Sequence, residues 1–444
     1  MDKLEQMLKK AKTDASAQVP TSISEGIDSV LETLPKKRKK KQMLMVYTAS
    51  SIVIGIGVIL GASQVSPSVS QGMQKLPIIG SVFEFVSDKG LNKAQEQELT
   101  NKVDKQIVSG DTTLTFTDVF HDGTRLSVGY VMEGVSSEQD VRNTFYDETF
   151  TLKIDGQKIY NLNYMRISVT KMDDNQFIGV LELTNRNFPD SFELTLDFYN
   201  IDSKKGEWSL SFPVIKTKDI FHYQVNVQQE VGDYDVKINE VTLTPATTEL
   251  KYTVFQEVKG ETVEGLIPSL LLFDDKGRQY KHGAGGSKGG MNVLPNGTGI
   301  TQAFEQYEPM EEKPEYIVVQ PYMIGNGNSN VSSGELGSTI PLKLEQGEKG
   351  SLTVLDVAGN QDDLIITYQV EGTLPFYQAW VWLEDRDGNE TYSTQAPQLV
   401  DRESYTFTQR FSNIDIDNIS QYKIHTNDLE NITLYPETIK ITLE

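Results

Sequence analysis

The chain has 444 residues, 41 Lys/Arg against 63 Asp/Glu, a formal net charge of -22, 38% hydrophobic residues and no cysteine. This length is beyond one ordinary core and predicts about three or four domains. The missing cysteines exclude disulfides, thiolate metal sites and cysteine nucleophiles, and they suit a Gram-positive cell-surface protein better than a eukaryotic secreted one.

Charge is divided unevenly. Residues 1–41 hold ten Lys/Arg and six Asp/Glu, a net of +4, so the remaining 403 residues carry -26. A nucleic-acid binder spreads basic residues over a folded face. Here the large segment has the opposite sign, so no nucleic-acid partner is expected.

Residues 1–41 predict a small helical segment. "DKLEQMLKKA" places Leu4, Met7, Leu8 and Ala11 on one stripe. In "PTSISEGIDSVLETLP", Ser22 and Glu25 have capping-box spacing and Pro35 stops the helix. Between them Ile23, Ile27, Val30, Leu31 and Leu34 share one face. Two short helices cannot bury such stripes alone, so these five residues are the candidate partner-binding set. A protein partner, lipid headgroups or loose ordering without function are the three ways to satisfy them.

Six basic residues follow, Lys36, Lys37, Arg38, Lys39, Lys40 and Lys41, and then an uncharged stretch over 42–63, "QMLMVYTASSIVIGIGVILGAS". Met43 to Ala62 is long enough as a helix to cross the ~30 Å hydrocarbon core. Placed directly before it, the basic run acts as a membrane-orientation signal: N-terminus in the cytoplasm, residues 64–444 outside. A nuclear address conflicts with the adjoining uncharged stretch, and a cleaved signal peptide conflicts with the long preceding segment and apolar length. Gly57 and Gly61 form a G-x-x-x-G pair, a candidate dimer face. The expectation is a single-pass cell-membrane protein in contact with lipid.

Residues 64–109 predict a membrane-proximal helical stalk. Ser66 and Pro67 have N-cap and N1 character, Ile78, Ile79, Val82, Phe83 and Val86 form an apolar face, and "LNKAQEQELTNKVDKQ" continues as a polar helix. From about residue 110 the periodicity changes to two and repeats. "TTLTFTDVFHDGTRLSVGYVMEG", "YDVKINEVTLTPATTELKYTVFQEVKG" and "SLTVLDVAGNQDDLIITYQVEG" each read as strand, polar turn, then strand with a central tyrosine, Tyr130, Tyr252 and Tyr368. Each is followed by a second turn, in "LKIDGQKIY", "LLFDDKGRQY" and "VWLEDRDGNETY". The fold class is therefore mainly β, with three tandem immunoglobulin-like β-sandwich modules over 110–216, 217–346 and 347–444, one transmembrane helix and short N-terminal helices.

The search for chemistry gives little. "HGAGGSKGG" (282–290) lacks the order of a phosphate loop and reads as a mobile loop, and "EDRDGNE" (384–390) reads as a hairpin turn rather than a calcium loop. His121, His222, His282 and His425 share no metal-ligand spacing. No G-x-S-x-G elbow occurs. The expectation is no catalytic residue, no metal and no cofactor. The N-x-[ST] sequences at Asn296, Asn330, Asn389, Asn418 and Asn431 are chance matches in Asn- and Thr-rich strands.

The succession of a basic run, one span, "KLPIIGSVFEFVSDKGL" and "TLTFTDVFHDGTRLSVGYVMEG" resembles a family of Gram-positive membrane proteins. Their outer part starts with a domain of unknown function, and they are often encoded beside extracytoplasmic-function sigma factors. Pro77 to Phe83 carries the most specific likeness, while "VKINEVTLTPATTELKYTVF" and "LLFDDKGRQY" resemble the immunoglobulin-like domain that often follows. The resemblance implies an anti-sigma-like regulator whose residues 1–41 bind a sigma factor and whose outer part meets an extracellular protein or cell-wall ligand. The inner segment lacks the zinc-binding His/Cys motif of the better known anti-sigma domain. The other reading is a surface adhesion or envelope-scaffold protein with no cytoplasmic signalling role.

Overall fold

The computed structural model describes residues 81–444 apart from 147, 161–164, 185–187, 259–266, 326, 328, 338, 361–362, 394 and 415. The expected inner helices and uncharged stretch lie outside the described residues. Among the described residues no helix is long and apolar enough to cross a membrane. The described chain is mainly β, arranged as six antiparallel sheets that share cores two by two.

In the first pair the larger sheet runs Asn101–Ser109, Thr112–His121, Arg125–Glu133 and Gln176–Thr184, with Met165–Ile167 and Thr170–Asp173 along its far edge. The smaller sheet runs Lys204–Ile215, Ser191–Ile201, Phe150–Ile154 and Gln157–Lys158. Alternation directs Phe116, Val128 and Tyr130 of one sheet and Leu152, Leu196 and Phe198 of the other into a single core. The middle pair repeats the order. Its larger sheet is Phe221–Val231, Tyr234–Leu243, Thr248–Glu257 and Thr298–Tyr307, edged by His282–Ser287 and Asn292–Val293. The third repeats it again with Leu342–Glu345, Gly350–Gly359, Asp363–Gly372, Thr406–Ser412 and Gln398–Asp401.

The three repeated tyrosines occupy matching places. Tyr130, Tyr252 and Tyr368 are buried, and each hydroxyl donates to a backbone carbonyl, of Ser168 at 2.7 Å, Pro268 at 3.2 Å and Ala379 at 2.6 Å. A buried phenol needs such a partner, which is why a tyrosine rather than a phenylalanine suits this place. The second turns also match, with Gly156, Gly277 and Gly388 all at φ between 76° and 81°.

The smaller sheets depart from the expected boundary at residue 346. The strand Val331–Glu335, expected in the middle module, pairs with Lys423–Asn427 in the third, Val331 opposite Asn427 and Glu335 opposite Lys423. Conversely, Ile432–Leu434 and Ile439–Thr442, expected in the third module, both pair with Tyr316–Ile324 of the middle sheet, which also holds Ser269–Phe273 and Gln279–Tyr280. Ile439, Ile441 and Leu443 are buried in the middle core. The middle and third pairs thus exchange edge strands. Alternation tells which face of a strand is buried but not which sheet receives it, so sequence periodicity places the boundary in chain order.

The expected helical stalk is also corrected. Among the described residues of this segment the α-helix spans Lys89–Glu96, and Asn101–Ser109 is a strand paired to Thr112–His121. Lys, Gln and Glu favour helix there, but Val103 and Ile107 pack on the first core and the sheet edge overrides propensity. Val82, Phe83, Val86, Leu91 and Ala94 bury against Phe120, Ile178, Val180 and Ala246, so this segment docks on the β body.

Candidate functional site

The helix Lys89–Glu96 is the meeting point of the three sheet pairs. Asp88 caps it by accepting from the Leu91 amide at 3.0 Å, and the same carboxylate takes Arg125 Nη1 at 2.6 Å. Arg125 is almost fully buried and also donates to Glu182 at 3.0 Å and to the Ala246 carbonyl of the middle pair at 3.1 Å. Burial opposes the charge of both groups, but their mutual attraction wins. Asp88 is held below the usual carboxylate range, and Arg125 is held firmly protonated. Gly90 permits the close approach, because a Cβ there would lie 2.0 Å from the Ala246 oxygen.

Further bonds join the same region. Thr244 Oγ1 donates to Asp122 at 2.7 Å, Gln306 Nε2 to the Thr124 carbonyl at 3.1 Å, and Arg166 to the Gly283 carbonyl at 2.8 Å. From the third pair, Arg402 donates to the Gln279 carbonyl at 2.6 Å and to Glu308 at 2.8 Å. The helix itself reaches the middle pair through Lys93 Nζ to the Met310 carbonyl at 3.2 Å and the third through Lys89 Nζ to the Leu399 carbonyl at 3.4 Å.

Between these bonds lies a cavity of about 250 Å³. Its walls come from all three sheet pairs and the helix: Lys89 and Gly90, Arg125 and Arg166, Thr247, Lys281 to Ala284, Glu308, and Phe376 with Leu399. Four cationic side chains and two carboxylates line it, the reverse of the balance in the chain at large. Burial lowers the pKa of both Lys89 and Lys281. Burial and then the Arg166 charge bring His282 down to about 4, so its ring is neutral near pH 7. The donor set can hold an anion. It offers no paired nucleophile and base.

The sequence-derived site residues have a different fate. Ile23, Ile27, Val30, Leu31 and Leu34, and the basic run Lys36 to Lys41, lie outside the described residues. The "HGAGGSKGG" segment is largely the edge strand His282–Ser287, and its first residues line the cavity rather than forming a free loop. "EDRDGNE" is a hairpin turn in which Asp385 Oδ1 accepts from the Asp387 and Asn389 amides, both at 2.9 Å. Among the described residues no three His, Cys, Asp or Glu side chains gather as a metal site. His121, His282 and His425 each pack on an aromatic ring, and His222 meets Thr242 Oγ1 at 3.1 Å. Lys89, Arg125, Arg166 and Lys281 escape sequence reasoning because they are isolated, ordinary surface-type residues in four separate strands, turns or helix ends. No local pattern marks them.

Two family matches bear on the chain. Residues 37–134 match a domain of unknown function (DUF4179), and residues 222–354 match a family of unknown function (DUF5643). The second match ends within Gly350–Gly359 and does not include the returning strands Ile432–Leu434 and Ile439–Thr442. No curated protein matches. Among solved structures, a conserved domain protein from Bacillus anthracis aligns at 21% identity over 61% of this chain and 93% of its own, with a TM-score of 0.41. The N-terminal eight Ig domains of Down Syndrome Cell Adhesion Molecule align at 11% identity over 76% of this chain and 37% of that one, with a TM-score of 0.17.

Proposed function

We propose that the protein is a single-pass membrane regulator of the anti-sigma type. Its N-terminus lies in the cytoplasm, its immunoglobulin-like β body lies outside the cell, and the inner face of Ile23, Ile27, Val30, Leu31 and Leu34 grips a sigma factor. The observation that supports this most is the keystone position of the helix Lys89–Glu96. It follows the uncharged stretch in chain order, and it bonds to all three sheet pairs. A change among the sheets is therefore felt first by the segment that leads toward residues 42–63, the arrangement a sensor requires.

The test is capture of partners by the full chain from cross-linked cells. A sigma factor is expected with the parent chain, reduced about tenfold or more by Leu31→Asp, which puts a charge into the apolar face. Capture of no sigma factor, or equal capture by Leu31→Asp, overturns the reading. The strand exchange favours a second reading, an adhesion or envelope scaffold, because exchanged edges resist separation. In that case deletion of residues 2–34 leaves the cellular phenotype intact.

A further inference from the structure

The junction cavity contains cations that form no ion pair with the body's own acids among the described residues. Asp88 is taken by Arg125 at 2.6 Å, and Glu308 accepts the Lys281 amide and Arg402, both at 2.8 Å. Glu182, behind the wall, is shared by Arg125 and Arg166. That leaves two ammoniums. Lys89, an exposed residue, has the Leu399 carbonyl at 3.4 Å, and Glu308 acts on both Lys89 and Lys281 only from a distance, since among the described residues neither lysine forms an ion pair. Thr247 also lines the cavity, but its hydroxyl oxygen is shut off from the open space. Two ammoniums without an ion-pair partner on the wall of one cavity mark a place for an anion.

We propose that this cavity binds a small oxyanion of the phosphate class, held by Lys89 and Lys281, with Arg166 at the rim. Three features select that class. Cationic donors outnumber the carboxylates of the lining, which suits an anionic group. Lysine is a point-charge phosphate binder that needs no fixed fork geometry. The volume of about 250 Å³ is smaller than most drug-sized pockets and suits a single anionic group. The strongly negative chain repels anions at long range, so binding must come from these local donors rather than from the field of the whole protein. The phosphate can be free or carried on a larger molecule. Because the walls come from all three sheet pairs and the helix, an occupant ties them together. Its role as the sensed signal rests on the regulatory reading, whereas binding itself does not.

Calorimetric titration of the full chain in detergent, at pH 7.5 and fixed salt, tests the site with inorganic phosphate in one arm and glycerol 3-phosphate in the other. Saturable one-to-one binding is expected in at least one arm. Inorganic phosphate alone identifies free phosphate as the source, and the ester in either case identifies a carried group. Lys281→Ala and Lys89→Ala should each weaken binding about tenfold, while Lys281→Arg retains most of it. Each variant's melting temperature is read alongside, and Lys281→Gln replaces any alanine variant that fails to fold. No saturable binding in either arm, or unchanged affinity in both alanine variants, overturns the proposal. Partner capture through residues 1–41 is unaffected by that outcome, so the two readings fail separately.

Discussion

The first sheet pair and the two that follow it solve the same problem differently. In the first, Ser191–Ile201 turns back through Asp202 and Ser203, both at positive φ, and Lys204–Ile215 closes the same sheet. That is the tight turn whose twist matches a hairpin. In the middle pair the matching strand Tyr316–Ile324 meets residues 325–330, and the chain leaves for the third sheet. The third strand, Lys423–Asn427, is followed by residues 428–431 and a return to the middle sheet. Where a two-residue turn holds, a module is complete in itself. Where a longer linker replaces it, the edge strand is free to serve the neighbour, as in domain swapping.

The crossing point is itself bonded. Asn330 donates from its amide and side chain to Asp428 at 3.0 and 2.8 Å, and the Asp428 amide donates back to the Asn330 carbonyl at 3.0 Å. Ser329 meets Asn431 at 2.9 Å, and the Gly325 amide reaches the Asn431 carbonyl at 2.7 Å. Gly325, Ser329 and Asn330 of one linker are thus bonded directly to Asp428 and Asn431 of the other.

The strongest way to break the contrast is to delete residues 429–444. This removes Ile432, Ile439, Ile441 and Leu443 from buried positions, at about 1.5–3 kcal/mol each. The middle pair should lose its cooperative melting transition and become protease-sensitive, while the first pair keeps its own. Survival of the middle transition in calorimetry would contradict the exchange. A smaller effect is expected from Asp428→Ala, which unpairs the crossing at a cost of about 1–3 kcal/mol. Hydrogen exchange should rise together in the middle and third pairs and stay unchanged in Thr112–His121 and Arg125–Glu133. Exchange confined to one of the two pairs would show that they do not unfold as a unit.

The smallest effect is a pH dependence. Glu305 accepts from Tyr307 at 2.6 Å, from Tyr252 at 3.2 Å and from the Leu270 amide, and burial raises its pKa to about 7. Glu249 is raised to about 7 by the same cause. For an acid raised in the folded state, the fold binds the proton more tightly than the unfolded chain does. Stability is therefore full below the ordinary carboxylate range and lost as pH rises through about 7. Between pH 8 and 5.5 the melting temperature of the middle transition should climb by about 5 °C, and Glu305→Gln should flatten about half of that climb. A flat profile in the parent chain would refute the assignment.

How far the sequence is legible follows from the range of each signal. The tyrosine strands and the Asp/Gly turns show through because alternation and turn chemistry act over a few residues. The exchanged edges do not, because Val331–Glu335 alternates equally well for either sheet, and the choice depends on a linker's length and a partner far along the chain. The helix Lys89–Glu96 was legible but its end was not, since the pull of a sheet edge on Asn101–Ser109 is tertiary. The cavity is the extreme case. Lys89 and Lys281 become neighbours only after three sheet pairs have assembled, and no spacing rule joins them.

The exchange also sets an order of events during synthesis. The first pair has all its strands once residue 215 is made, so it can fold while the rest of the chain is still emerging. The middle pair has most of its strands by residue 324 but must wait until residue 442 to cover the edge of Tyr316–Ile324. For that interval it presents an open strand edge, the kind of surface on which chains aggregate or chaperones bind. A nascent chain stalled anywhere in the third module therefore exposes its incompleteness in the second.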